Sequence, residues 1–188
     1  VEGQPGKTEM WYIINAEEDA KIIYGFKDNI TKEEFLDAVK NNTLTDILNV
    51  IPVKKGEAYF IPSGTVHAIC KGSLIAEIQQ NSNVTYRIYD YDRIDKDGNK
   101  RPLHLDKAVD VIDFSKQKLA QNTEPNKDSP ERLLAHCKYF KVYEYAINGE
   151  LVLHVGSESF LALNIVSGDG FLEYHGKTQP VSAGDSFF

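Results

Sequence analysis

Cysteine is scarce in this chain, with two in 188 residues. Cys70 and Cys137 lie far apart and form no CxxC motif, so no disulfide framework or paired-cysteine metal site is expected. Reduced thiols in a cytoplasmic protein are the simplest reading. Basic charge is also short: 21 Lys and Arg face 28 Asp and Glu, for a formal charge of -7. The acids are scattered rather than gathered in a tail, which argues against nucleic acid or an anionic membrane as the main partner. No apolar run is long enough to cross a bilayer, and no signal peptide is found. An anionic small molecule stays open as a ligand, because a local cluster of Lys and Arg can override the net charge. With 41% hydrophobic and 26% charged residues, the composition is that of an ordinary globular protein.

What is present is a series of short strand candidates. Residues 9–14, 21–26, 50–53, 58–62, 67–69, 74–79 and 85–91 are rich in β-branched and aromatic side chains and are separated by Gly, Pro, Asn and Asp. That pattern predicts a barrel or sandwich. One helical insertion interrupts it over about 31–49. Thr31 and Glu34 make a capping box before the apolar stripe Phe35, Leu36 and Val39, and a second short helix is expected around Leu44, Ile47 and Leu48. A further helix is predicted where Leu105, Ala108, Val109 and Ile112 share a face. Residues 115–130, rich in Lys, Gln, Asn and Pro, read as a linker. Strands resume at 139–147 and 151–155 about Asn148-Gly149, a strong hairpin signal. They continue at 160–166 and 170–174, with His175-Gly176 as a turn. The expected organisation is a partial first domain at 1–114, a linker, and a partial second domain at 131–188. The chain stops at Phe187-Phe188, inside what reads as the next strand, so it is expected to be cut short there.

One segment carries chemistry. Gly56-Glu-Ala-Tyr-Phe-Ile-Pro62-Ser-Gly64-Thr-Val-His67 reads as a strand, a tight turn and a histidine opening a second strand. Pro62 ends the ladder by removing a donor, and Gly64 allows positive φ in the turn. The spacing G-x5-P-x-G-x2-H resembles the second metal-ligand motif of the cupins, small jelly-roll barrels. A lone His67 would read as a buried, hydrogen-bonded core histidine; the full spacing favours a ligand. Glu9, opening an aromatic strand, is either a solvated acid at a strand end or an inward-pointing second ligand. Imidazole and carboxylate together suit zinc or a similar divalent ion. Lys7 shares the face of Glu9 because strand side chains alternate. Arg87, amid Tyr86, Ile88 and Tyr89, is either snorkelling at a strand edge or placed to hold an anion. His104, His136, His154 and His175 have no ligand-like spacing and read as structural or exposed.

Four linked segments narrow the reading: Gly6-Lys-Thr-Glu-Met-Trp-Tyr-Ile13, Ile61-Pro-Ser-Gly-Thr-Val-His-Ala-Ile69, the stretch from Ile75 through Glu77, Asn83 and Arg87 to Tyr91, and Leu103-His-Leu-Asp-Lys-Ala-Val-Asp-Val-Ile-Asp-Phe114. Together they resemble type I mannose-6-phosphate isomerase, in its shorter bacterial form, in order along essentially the whole chain. The resemblance implies a mainly β fold, a cupin-type jelly roll with a helical insertion and part of a second roll. It implies an aldose–ketose isomerase interconverting mannose 6-phosphate and fructose 6-phosphate with a bound divalent metal, usually zinc. Carried over by position, Glu9 and His67 resemble two of four metal ligands, and Lys7 and Arg87 the basic active-site residues. Lys7, Glu77 and Asn83 then line the substrate pocket. The family's other two ligands, in a Gln-x-His motif, are absent from this chain and are expected upstream of Val1. A sugar-binding or regulatory module without catalysis is the alternative.

Overall fold

The computed structural model describes residues 3, 5–90, 93–118 and 130–188. The chain divides into two compact units, 1–145 and 146–188. In the first, strand β1 (Glu9–Ala16) lies between β4 (Ala58–Ile61) and β6 (Ser73–Gln79). A second sheet sets β2 (Lys21–Phe26) between β3 (Leu48–Pro52) and β5 (His67–Ile69). All four pairings are antiparallel.

Alternation along the strands gives each sheet an inner and an outer face. Trp11, Ile13, Tyr59 and Ile61 of one sheet pack against Ile22 and Tyr24 of the other, forming a core between them. A bulge at Gly25, whose φ is +65°, shifts the register between Ile23 and Phe26. Ile23 and Phe26 therefore share the outer face, where they meet Phe35, Leu44, Leu48 and Val66. Phe35 comes from helix α1 (Lys32–Lys40), and Leu44 from α2 (Leu44–Ile47). The capping box predicted for α1 is formed: the Thr31 hydroxyl accepts from the Glu34 N–H, and the Glu34 carboxylate accepts from the Thr31 N–H.

The turn between β4 and β5 closes as its residues require. Thr65 N–H donates to the Pro62 carbonyl at 3.1 Å. Gly64 takes φ +93°, and a Cβ there would sit 2.7 Å from the Val111 carbonyl. That close approach comes from the segment after helix α3 (Leu105–Ala108), where Asp113 N–H donates to the Gly64 carbonyl. The helix predicted through Ile112 is consequently shorter, because the chain turns back to reach Gly64. Leu105, Val109 and Ile112 still pack on the outer core.

Some strand expectations differ from the structure. Residues 85–90 form no strand. Side chains take up backbone donors at and just before this stretch: Arg87 N–H donates to His104 Nδ1, and Val84 N–H to the Ser82 hydroxyl. Tyr91 lies outside the described residues, as does most of the expected linker. The Asn148-Gly149 hairpin is not formed either. Strand β8 (Lys141–Tyr145) pairs backwards with β7 (Glu131–His136), and 151–155 carry no strand. The first compact unit runs on to residue 145 and takes in β7 and β8. The physical reason is apolar contact: Ala135, Leu134, Phe140 and Val142 cover Met10, Tyr12 and Ala58 on the outer face of β1 and β4. Arg132 adds a hydrogen bond of 2.6 Å to the Gly56 carbonyl and an ion pair of 2.7 Å to Glu144, which also accepts from the Tyr12 hydroxyl.

In the second unit, β10 (Asp169–Tyr174) and β11 (Lys177–Ser182) form the hairpin predicted about His175-Gly176, both at positive φ. The strand expected at 160–166 is reduced to β9 (Leu163–Asn164), paired with β12 (Ser186–Phe187).

Gly64→Ala should lower unfolding stability by on the order of 2 kcal/mol, combining a left-handed backbone with a clash against a carbonyl that cannot swing aside. Urea denaturation checks this; an unchanged midpoint would show that the turn relaxes freely.

Candidate metal and sugar-phosphate site

The site forms where the start of β1 meets β5 and β6. Lys7, Glu9 and Trp11 share one face of the β1 segment by alternation, and Glu77 stands directly opposite Trp11 in the β1–β6 register. His67 pairs with Tyr24 at the start of β5 and turns inward, while its neighbours Val66 and Ala68 turn to the outer core.

Glu9 is 0% exposed. The solvated strand-end alternative for this residue is thereby excluded. Its Oε2 accepts from Lys7 Nζ at 3.1 Å, and its Oε1 faces His67 Nε2 at 3.0 Å. Lys7 Nζ also donates to Glu77 Oε1 at 2.8 Å, and Trp11 Nε1 donates to Glu77 Oε2 at 3.1 Å. The Trp11 ring meets the His67 ring edge to face, with centroids 5.2 Å apart. Burial alone would push the Glu9 carboxyl up. With both ring nitrogens of His67 protonated, its hydrogen bond and charge, with contributions from Glu77 and Lys7, outweigh burial and bring the Glu9 carboxyl down to about 2. Burial likewise pulls Lys7 down, but its bonds to Glu77 and Glu9 leave it above the usual lysine value.

The imidazole has a defined tautomer. His67 Nδ1 lies 2.8 Å from the Thr65 carbonyl, which can only accept, so Nδ1 carries a proton. In a neutral ring Nε2 then presents a lone pair to a carboxylate oxygen that has no hydrogen-bond donor. Two lone pairs at 3.0 Å, one on a fully buried anion, require a cation: a second ring proton or a metal ion. A backbone carbonyl fixing Nδ1–H is also the usual outer-shell support of a metal-bound histidine. Glu9 and His67 thus fit a divalent metal as two ligands. Among the described residues no group of three or more His, Cys, Asp or Glu is placed to hold one.

Arg87 and Asn83 are placed apart from this cluster. Arg87 lies in the irregular segment after β6, with Nη1 donating to the Pro102 carbonyl at 3.4 Å and Nε 3.8 Å from Asp90. Asp90 is held more firmly by Arg101, whose hydrogen bond and charge depress its carboxyl pKa. Asn83 lines an open cleft of about 460 Å³ with Pro5, Thr85, His104 and Lys107. Lys7, Glu9, Glu77 and His67 are therefore brought together by direct contacts, and no direct contact joins Arg87 or Asn83 to them among the described residues. Trp11 has no assigned role in the sequence reading, although its position two residues after Glu9 on the same face was a legible signal.

No family model matches the chain. Two curated proteins of Bacillus subtilis do: YvyI is 42% identical over 188 residues, and the mannose-6-phosphate isomerase ManA is 39% identical over 185. These alignments take in 99% and 97% of this chain but 59% and 58% of the relatives. A crystal structure of a mannose 6-phosphate isomerase from Bacillus subtilis superposes with a TM-score of 0.86 at 42% identity, covering 98% of this chain and 59% of that one. A mannose 6-phosphate isomerase bound with zinc and yttrium shares the fold, with a TM-score of 0.63 at 15% identity over 96% of this chain and 60% of its own.

In the metal-free chain the depressed Glu9 pKa contributes stability above the ordinary carboxyl value of 4.5. That contribution is lost as pH falls from about 4.5 through about 2. Acid unfolding should accordingly be less steep over this window in Glu9→Gln; identical slopes would deny the buried ion pair. By sequence and by fold, the chain is similar to the mannose-6-phosphate isomerases of Bacillus subtilis along nearly its whole length, and it spans about three-fifths of theirs.

Proposed function

We propose that the protein containing this chain is a metal-dependent aldose–ketose isomerase that interconverts mannose 6-phosphate and fructose 6-phosphate. The observation that carries the reading is the Glu9–His67 pair, a buried carboxylate and an imidazole lone pair converging at 3.0 Å, in a chain 39% identical to a named mannose-6-phosphate isomerase. The two stacked sheets are read as part of a cupin-type jelly roll. The ion would be zinc, held by Glu9 and His67, with coordination completed from outside the described residues. When bound it supplies Lewis-acid polarisation of the sugar's carbonyl and hydroxyl oxygens.

The chain's own residues account for the rest. The opened sugar loses its C2 proton to a base, becomes a cis-enediol, and regains a proton at C1 as the carbonyl moves to C2. Glu77, with 34% of its side chain exposed, is the carboxylate of the cluster that a sugar can reach, and it takes the C2 proton. Lys7, bonded to both carboxylates, orients Glu77 and donates to a substrate oxygen. Arg87 balances negative charge developing on the enediolate. Asn83, on the polar cleft, binds the sugar-phosphate chain. The two cysteines are free thiols, which suits a cytoplasmic metabolic enzyme.

A zinc-loaded preparation assayed for fructose 6-phosphate production tests this reading. Turnover is expected, and Arg87→Ala should lower kcat by about a hundredfold or more with bound zinc unchanged. Normal kcat in that variant would remove Arg87 from the mechanism. Sugar-phosphate binding without turnover in the parent would instead indicate a non-catalytic binding module.

A further inference from the structure

Trp11 is the single tryptophan of the chain, and it is 2% exposed. Apolar burial would account for its ring, but not for the two polar neighbours that the ring meets. Its Nε1–H donates to Glu77 Oε2 at 3.1 Å, while Lys7 holds Glu77 Oε1 at 2.8 Å. Both oxygens of a partly exposed carboxylate are thus tied from the protein side. The opposite edge of the problem is His67, whose ring the indole meets at 83° with centroids 5.2 Å apart. One rigid side chain therefore touches Glu77 and His67 together. It does so from a central strand, with Trp11 registered against Glu77 on one side and Tyr59 on the other.

A carboxylate on a flexible side chain loses rotamer freedom when it is fixed, and a donor on a buried indole meets that cost before substrate arrives. We infer that Trp11 is a positioning residue, whose indole N–H fixes the Glu77 carboxylate while its ring holds His67. This rests on the isomerase reading for its consequence in turnover, but the contact itself is independent of that reading. Lys7 alone would leave Glu77 free to swing about its bond to a long, mobile ammonium. Trp11 provides the second point that sets the plane of the carboxylate, and it acts through Glu77 without touching the sugar.

The experiment uses the single indole. In a two-dimensional 1H–15N spectrum of the 188-residue chain, the Trp11 side chain gives one Nε1–H peak. Glu77→Gln should shift that peak and shorten its exchange lifetime by about tenfold, since a charge-assisted bond is replaced by a weaker one. An unmoved peak with unchanged exchange would overturn the inference, whatever the chain's activity. Trp11→Phe then keeps an aromatic ring beside His67 and removes the N–H. It should lower kcat by about tenfold with KM within about twofold and zinc content unchanged. Normal kcat in Trp11→Phe, measured against an active parent, would also overturn it. Lost stability with normal kcat would mark Trp11 as packing alone and overturn it equally. An inactive parent counts against the isomerase reading, and the Glu77-dependent shift of the indole peak then decides the positioning contact by itself.

Discussion

A fully buried carboxylate cannot stay charged without cationic or donor partners, and Glu9 is that carboxylate here. Its two oxygens look in different directions, one to Lys7 and one to His67. The rest of the first unit can be understood as the means of satisfying it. The β1 alternation brings Lys7 and Trp11 to the same face, and β6 supplies Glu77 opposite. The Pro62–Gly64 turn delivers His67, with Thr65 fixing the ring proton on the side away from Glu9. Removing one partner would leave an uncompensated charge in the core, which is why such clusters respond to substitution as a unit.

The sheets serve this cluster by being covered on both outer faces. Helices α1 and α2 close over Ile23 and Phe26 on one side. The β7–β8 hairpin closes over Met10 and Tyr12 on the other. Alternation lets β2 feed both cores, and the Gly25 bulge adds Phe26 to Ile23 on the outer one, since without it Phe26 would fall on the inner face. Gly64 has a related role in allowing the chain around Val111 to approach the turn before His67 at backbone distance.

Much of this was legible from residues. Period-two alternation placed Lys7 beside Glu9, and Pro62 and Gly64 placed the turn before His67. Thr31 with Glu34 placed the start of α1. The failures are tertiary. Residues 85–90 have the composition of a strand, yet the Arg87 N–H goes to the His104 ring and, just before the stretch, the Val84 N–H goes to the Ser82 hydroxyl. Asn148-Gly149 has the chemistry of a hairpin turn, but the strand before it, β8, is already paired to β7, whose apolar side chains seek the back of β1. Arg87 could be named from its motif, but its hydrogen-bond partners depend on the 93–104 segment folding back, which no local pattern encodes. Trp11 was passed over for another reason: an aromatic in a β-strand is explained by burial, so its place two residues after Glu9 on the same face pointed to no role without the contact with Glu77.

On the proposed function, Glu9 and His67 hold a divalent ion between them. Crystals of the zinc-loaded protein, measured at the zinc absorption edge, test it without any appeal to turnover. One strong anomalous peak is expected at bonding distance, about 2.0–2.2 Å, from both Glu9 Oε1 and His67 Nε2. A protein that takes up zinc elsewhere, or that shows Glu9 and His67 still in direct contact with no peak between them, would contradict it.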